Sequence, residues 1–388
     1  MNVFYWIAGC LLGLAWLSRI LDAARGMPTI ADISLPQWDL HPKNLPRVSI
    51  IVPARNEEAT IAPVLQQLLS LDYKNYEVIA VDDRSTDRTG EAMDQVAASG
   101  ETLARLKIVH VEKLPPRWMG KSHAMWTAAN AADGDWLLFT DADVFFKPDV
   151  LRRALAYGEA ESADHVVLFP RMIMKSVGER MMISFFQTMF VFGHRPWKVA
   201  DPKTKDHMGV GAFNLIRKSV YEAVGTYEAL RFEVLDDMKL GKVVKTAGFA
   251  QRNVFGHDLI SIRWGHGAIG IVNNVTKNFF AVMSFQTWRM LASSFAVGFL
   301  NLMPFVGIFA AHGWARLPFA LALFCMFAIY VGMSGLSDVR PYYFLLHPFS
   351  SILFVYAMLR SMFLTLGQGG VVWRGTKYPL EELRRGLV

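Results

Sequence analysis

Asp141-Ala142-Asp143 follows the apolar run Trp136-Leu137-Leu138-Phe139 after a single residue, Thr140. Four apolar residues ending in carboxylates predict a buried strand with a polar carboxyl edge. Two acids one residue apart on that edge are oxygen ligands for a hard divalent cation. A lone D-x-D is more often a solvated turn, but two further acidic pairs share the chain. Asp82-Asp83 closes the run Tyr76 to Val81, and Asp236-Asp237 opens a helical pattern that stops at Gly248. Carboxylates gathered at one edge raise each other's pKa. Mg2+ or Mn2+ relieves that repulsion and shares its shell with substrate phosphates. The substrate implied is a diphosphate, whose departing oxygen a metal neutralises. Lys121, at a predicted helix start, brings a cation and free N–H groups to such phosphates. No GxxxxGK[ST] pattern is present, which excludes an ordinary P-loop. Asp236-Asp237 at a helix N-terminus is favourable charge on the bland reading. On the functional one, a carboxylate there takes a proton from an incoming hydroxyl.

These groups need elements to position them. Val48 to Val52, Tyr76 to Val81, Leu106 to Val111 and Trp136 to Phe139 read as strands, the first stopped by Pro53. Helical patterns lie between them, at about 59–69, after Asp87, and from Gly120 to about 132. The alternation predicts an α/β fold with a mostly parallel, doubly wound sheet. Arg55-Asn56-Glu57, Asp82-Asp83 and Asp141-Ala142-Asp143 all follow strands, so they should meet at one sheet edge. Further on, Val166 to Pro170 reads as a strand and Met208 to Arg217 as a strand led in by glycines. Ser219 to Val224 and Glu233 to Gly248 read as helices. Gly178 to Gly193, rich in Met and Phe, reads as a helix lying in a membrane interface.

The chain has 388 residues, 53% of them hydrophobic and 19% charged, with a net charge of +6. That is too apolar for an ordinary soluble enzyme and places part of the chain in a bilayer. Membrane headgroups and phosphorylated substrates are the anionic partners that suit a basic, apolar protein. Nucleic acid is not expected, because no basic stripe interleaved with aromatics and no zinc-finger spacing occurs. Cys10 and Cys325 lie far apart in apolar runs, which excludes a disulfide framework. Val3 to Leu17 reads as an uncleaved anchor. Leu291 to Ala311, with 21 residues, and Leu317 to Leu336, with 20, carry no charge, and Pro341 to Leu359 carries only His347. Each is long enough to span the hydrocarbon core.

The resulting division is 1–25 anchor, 26–46 extended linker, 47–265 catalytic domain, 266–290 interfacial helix, 291–366 transmembrane helices and 367–388 polar tail. Arg19, Arg25, Lys43 and Arg47 put the catalytic domain of this multi-pass cell-membrane protein in the cytoplasm. Three later spans would then leave Arg374, Lys377, Arg384 and Arg385 outside, against the positive-inside rule. One apolar segment is therefore expected to be re-entrant or split.

Four ordered motifs carry a family resemblance. Val52-Pro53-Ala54-Arg55-Asn56-Glu57, Val81-Asp82-Asp83-Arg84-Ser85-Thr86-Asp87, Thr140-Asp141-Ala142-Asp143, and Asp236-Asp237 followed by Leu240 and Gly248 closely resemble the inverting glycosyltransferases of family 2. That resemblance implies a GT-A fold, the Rossmann-like nucleotide-diphospho-sugar transferase sheet, with transmembrane helices at both ends. It implies that Pro53, Ala54, Arg55, Glu57, Asp82, Asp83, Lys121 and Asp141 bind the nucleotide-sugar. It gives the metal to Asp143, with Asp141, and makes Asp237 the base with Asp236 beside it. The usual Glu of that last pair is Asp here. Arg263-Trp264 resembles the end of the Q/R-x-x-R-W motif on the acceptor and product side, but position 260 is Ile.

Trp118-Met119-Gly120-Lys121, the stretch Glu233 to Asp237 and the closing Trp373-Arg374-Gly375-Thr376-Lys377-Tyr378 look like the branch acting on lipid and terpenoid acceptors. Hopanoid-associated, carotenoid and ceramide glycosyltransferases belong to that branch. The expectation is a membrane-bound, metal-dependent glycosyltransferase moving sugar from a nucleotide-diphosphate sugar, preferably a UDP-sugar, to a lipid or terpenoid. The rivals are a processive polysaccharide synthase and a non-catalytic membrane protein that binds sugar nucleotides.

Overall fold

The β-branched and apolar runs pair into one sheet. Its strands are Val48–Ala54 (β1), Tyr76–Asp83 (β2), Leu106–Val111 (β3), Trp136–Phe139 (β4), His165–Phe169 (β5), Asn214–Arg217 (β6) and Gln251–Phe255 (β7). In the computed structural model, which describes residues 2–99 and 105–386, they lie in the order β3-β2-β1-β4-β6-β5-β7. β1 pairs in parallel with β2 and β4, β2 with β3, and β5 with β7, while β6 runs against β4 and β5. Both faces are covered. Ile51, Ile79, Val81, Leu137 and Phe139 pack with Ala124, Met125 and Ala128 of the Gly120–Asn130 helix and Leu240 and Val244 of the Asp236–Thr246 helix. The alternate residues Ile50, Val52, Val78, Ala80 and Leu138 are equally buried. Strands hidden on both faces read as continuous apolar runs, which is why these were visible in sequence.

Pro53 does not stop β1. It pairs with Val81 as the strand runs on to Ala54. The reason is direction. Odd-numbered residues of β1 turn their backbone groups to β4, as Ile51 does in accepting the Thr140 N–H at 3.1 Å, and the β1–β4 ladder ends at Ile51 and Phe139. The N–H that proline lacks therefore has no ladder partner to lose.

The chain divides into two compact bodies, one comprising Ile30–Arg171, Lys198–Arg263 and Glu381–Val388, the other Met1–Thr29, Met172–Trp197 and Trp264–Leu380. Residues 30–46, expected as part of an extended linker, are instead built into the sheet body. Ile33 is fully buried and donates its N–H to Phe255 O at 2.8 Å, and Arg153 reaches Ile33 O at 3.2 Å and Asp39 at 3.2 Å. Prolines limit this segment to a 3-10 turn at Pro36–Trp38, and arginines of the Val150–Ala160 helix take its carbonyls in place of regular pairing.

The second body holds the helices Asn2–Gly26, Val177–Gly193, Gly267–Val282, Thr287–Ala310, Leu317–Ser334 and His347–Gly367. Among the described residues four helical stretches are long and apolar enough to cross a membrane: Val3–Thr29, Thr287–Ala310, Gly313–Ser334 and Pro341–Gly367. Three of them are tied by a buried polar chain. His347 meets Tyr330 Oη at 3.0 Å and Asn301 Oδ1 at 2.9 Å, and Asn301 also donates to Val297 O at 2.8 Å. In apolar surroundings such satisfied polar contacts fix one helix register. Val177–Gly193 starts on a reciprocal cap, with Ser176 accepting from Glu179 N at 3.2 Å and Glu179 accepting from Lys175 N at 2.6 Å. It groups with the apolar helices and not with the sheet. The interfacial helix expected over 266–290 is broken, because Ser284 and Phe285 take φ of 53° and 54° between the Gly267–Val282 and Thr287–Ala310 helices. After the last long helix come a hairpin, Gly370–Trp373 with Thr376–Pro379, and the short helix Leu380–Arg385. Met1 of the anchor and the last two residues of the tail lie outside the described residues. Cys10 and Cys325 are free thiols.

Candidate active site

The carboxyl ends of β1, β2 and β4 place the polar clusters. Alternation along β2 sends Asp82 and Asp83 to opposite faces. On one face, a Cβ on Gly120 would lie 2.4 Å from Asp83 Oδ2; on the other, a Cβ on Gly90 would lie 2.7 Å from Asp82 Oδ2. Both glycines are therefore set by close approach. Asp83 is gripped by the next residue: Arg84 Nε is 2.8 Å from Oδ1 and Nη2 3.1 Å from Oδ2, with Arg55 3.9 Å away. Arg84 stands at φ 57°, and this two-point grip holds the left-handed turn in place. Asn56, also left-handed at φ 56°, accepts Thr86 N at 2.8 Å and so joins the loop after β1 to the loop after β2. Glu57 N donates to Thr89 Oγ1 at 2.7 Å.

The β4 end is built tightly. Thr140 is fully buried and donates to Ala212 O at 2.8 Å, which fixes the 208–212 loop beside it. Lys121 Nζ, two residues into its helix, sits 2.6 Å from Asp141 Oδ1 and 3.7 Å from Asp236 Oδ2. Asp237 accepts the N–H of Gly211 at 2.8 Å and that of Met238 at 2.7 Å. A Cβ on Gly209 would lie 1.8 Å from Asp237 O, and one on Gly211 2.5 Å from Asp141 Oδ2. Only glycine lets this loop pass between the β4 acids and the Asp236–Thr246 helix.

The electrostatics follow from that crowding. Burial and the nearby charges of Asp141 and Glu57 push the Asp143 carboxyl up to about 7. Burial also raises Asp237, opposed by Lys121 and by its two backbone N–H donors. Burial disfavours the Lys121 charge, but Asp141, Asp236 and Asp237 outweigh it and hold the ammonium well above its ordinary value. Among the described residues no set of three or more His, Cys, Asp and Glu converges as a closed metal cage. The donor set suits a cation held by one or two carboxylates that completes its shell with substrate oxygens. Asp143, raised first by burial and then by the charges of Asp141 and Glu57, is a carboxylate that a cation would help to ionise.

Residues 49–225 match the model of glycosyl transferase family 2. That match takes in the strands from β1 to β6 and supports membership of that family. A beta-monoglucosyldiacylglycerol synthase of Synechocystis is 35% identical over 162 residues, 40% of this chain and 33% of its own length. The 4,4'-diaponeurosporenoate glycosyltransferase of Staphylococcus aureus is 28% identical over 237 residues, 59% of this chain and 60% of its own. This chain thus spans between about a third and three-fifths of those relatives. Among solved structures, the mannosyltransferase PcManGT from Pyrobaculum calidifontis, in complex with GDP-Man and Mn2+, superposes with a TM-score of 0.57 at 20% identity, over 92% of this chain and 98% of that one. The sheet is that of the GT-A fold.

Of the residues singled out in sequence, the structure joins Lys121, Asp141, Asp236 and Asp237 through direct contacts or the Gly211 loop, and Asp143 and Glu57 through their mutual charge. Asp83 and Arg55 form a neighbouring group at the β1 and β2 ends, where Pro53 and Ala54 close β1. Arg263 ends the sheet body, but Trp264 falls in the helical body, its ring 4.6 Å from Phe186. Sequence reasoning missed Gly211 and the grip of Arg84 on Asp83. Two glycines ahead of a strand were the one sequence signal for Gly211.

Proposed function

We propose that the protein transfers a sugar from a nucleotide-diphosphate sugar, preferably a UDP-sugar, to a hydroxyl or carboxyl of a lipid or terpenoid, with inversion. The observation that carries this reading is the anchoring of the Asp237 carboxylate, through Gly211, in the same cluster as Asp141 and Lys121 at the strand ends. Asp82 and Asp83 bound the nucleotide pocket at the β2 end, Asp83 through Arg55 and Arg84 on it, and Pro53, Ala54 and Glu57 line it. Asp141 orients the donor sugar. Asp237 accepts the acceptor's proton as its oxygen bonds to the anomeric carbon from the face opposite the diphosphate. The bond from that carbon to the phosphate oxygen breaks, and the diphosphate leaves with the electron pair. The raised pKa suits Asp237 to this task, since a stronger base takes the proton more readily than an ordinary carboxylate. Asp236 and Lys121 hold the charge balance around it. Asp143, with Asp141, would hold Mg2+ or Mn2+, which when bound supplies positive charge to the departing diphosphate.

The relatives named for a glucosyldiacylglycerol and a carotenoid acid support an apolar acceptor, as do the four apolar helices. Arg19 and Arg25 at the carboxyl end of the first helix support a cytoplasmic catalytic body. The tail supports an even number of crossings after it. Residues from Glu381 on belong to the sheet body, and a Cβ on Gly386 would lie 2.8 Å from Phe232 Cβ. A chain that leaves one body at Arg263 and rejoins it at Glu381 must return to the same side. The helix His347–Gly367, which carries Arg360 and buries Ser350, Ser351, Ser361 and Thr365, is the one we read as not crossing. This removes the conflict with the basic tail.

Mass spectrometry of lipid extracts from cells with and without the protein tests the function. A lipid species heavier by one sugar residue, present only with the protein, is expected. Identical extracts, or ladders of many sugars, would overturn the reading.

A further inference from the structure

We propose that His110 is a positioning residue for the donor site, holding Asp82 through a doubly protonated ring clamped against Asp94. The inference rests on the reading above that Asp82 belongs to that site. β3 is the edge strand, and its register sets His110 beside Asp82 of β2. His110 Nδ1 lies 3.3 Å from Asp82 Oδ2, and Nε2 lies 3.1 Å from Asp94 Oδ1 on the Thr89–Ala97 helix. An ionised carboxylate only accepts hydrogen bonds. A ring that meets carboxylates through both nitrogens is satisfied only with a proton on each. The neutral ring would turn a lone pair on one of them.

The surroundings are shaped for this contact. A Cβ on Gly90 would stand 2.7 Å from Asp82 Oδ2 and 3.3 Å from His110 Cε1, so a side chain there would occupy the place where ring and carboxylate meet. The other oxygen of Asp82 accepts Ser85 N at 3.1 Å. Asp82 is thus held at one oxygen by the turn backbone and at the other by His110. The charged groups facing the ring are Asp82 from β2 and Asp94 from the Thr89–Ala97 helix. Burial works against the imidazolium, but these two acids outweigh it and raise the His110 pKa. When the ring loses its second proton, one contact opens and Asp82 is freed. Nucleotide binding then weakens. By linkage, nucleotide binding raises the His110 pKa in return.

The test uses the full chain in lipid nanodiscs with UDP as the probe and Mn2+ held at saturation at every pH. UDP affinity is measured by calorimetry from pH 6 to 9 for the wild type, His110→Gln, Asp94→Asn and Asp82→Asn. The imidazole pKa is followed by NMR with labelled histidine, the His110 signal being the one lost in His110→Gln. The wild type is expected to lose about three-fold in affinity as His110 deprotonates, the scale of a half-exposed ion pair. His110→Gln should be about as weak at pH 6 as the wild type is above that transition, and should lack it. Asp94→Asn, at an exposed position outside the site, should move the transition and the NMR pKa to lower pH. If Asp82→Asn weakens UDP binding while His110→Gln and Asp94→Asn trace the wild-type profile, the His110 inference is overturned and the donor site stands. If Asp82→Asn binds UDP like the wild type, the donor-site reading fails and the inference with it. Should His110→Gln not fold, a His110 pKa unmoved by Asp94→Asn and by UDP overturns the inference on its own.

Discussion

Metal binding should carry the signature of Asp143. Its carboxyl is raised to about 7 by burial and by the charges of Asp141 and Glu57. A divalent cation needs it ionised, so binding expels its proton. With a pKa near 7, roughly nine-tenths of the molecules are ionised at pH 8 and about one-tenth at pH 6. Mn2+ affinity measured without nucleotide should therefore fall about ten-fold from pH 8 to pH 6. Glu57→Gln removes one of the two charges that raise Asp143 and should lower the midpoint, by about half a unit to one unit. The folding consequence has a definite sign. A carboxyl whose folded pKa exceeds its unfolded value favours folding at low pH, and the metal-free protein loses that contribution as pH rises from about 4 through 7. Added Mn2+ should restore more stability at pH 8 than at pH 6. Calorimetric titration at fixed ionic strength, with thermal melts in parallel, measures both. Mn2+ affinity that stays flat from pH 6 to 8, or a midpoint that Glu57→Gln moves upward, would refute the reasoning.

Other perturbations test the neighbouring contacts. Lys121→Met strips the cation from Asp141, Asp236 and Asp237; a stability loss of about 3 kcal/mol is expected, along with an upward shift of the acid limb of the pH–rate profile as Asp237 holds its proton more tightly. Gly211→Ala puts a methyl group against Asp141 and disturbs the N–H that anchors Asp237; the protein should fold, with turnover down about 100-fold, the scale of a 1 Å misplacement. A reporter fused after residue 388 should share the side of one inserted in the exposed Lys113 to Arg117 loop. Opposite sides would mean an odd number of crossings after the catalytic body.

How much of this was legible in the sequence follows from the range of each interaction. The strands were legible because burial on both faces leaves apolar runs, and their acidic ends because carboxylates close those runs abruptly. Pro53 misled because its cost depends on whether a neighbouring strand extends that far, which one strand's sequence does not carry. Residues 30–46 misled because proline content reports the absence of a helix, while the arginines that order this segment lie more than a hundred positions away. The roles of Gly211 and His110 arise the same way. Gly211 meets Asp237 across 26 positions, and His110 meets Asp82 across 28. The residue types showed that acids were present; tertiary structure decided which glycine and which histidine attend them.

The central claim is most directly tested by sugar transfer in vitro. Purified protein in nanodiscs made from the host's own lipids is given a radiolabelled UDP-sugar and Mn2+, and label entering the lipid phase is counted for the wild type and Asp237→Asn. The wild type should add one sugar per acceptor, and Asp237→Asn should lose at least about 100-fold, with UDP binding retained. Full transfer by Asp237→Asn would contradict it.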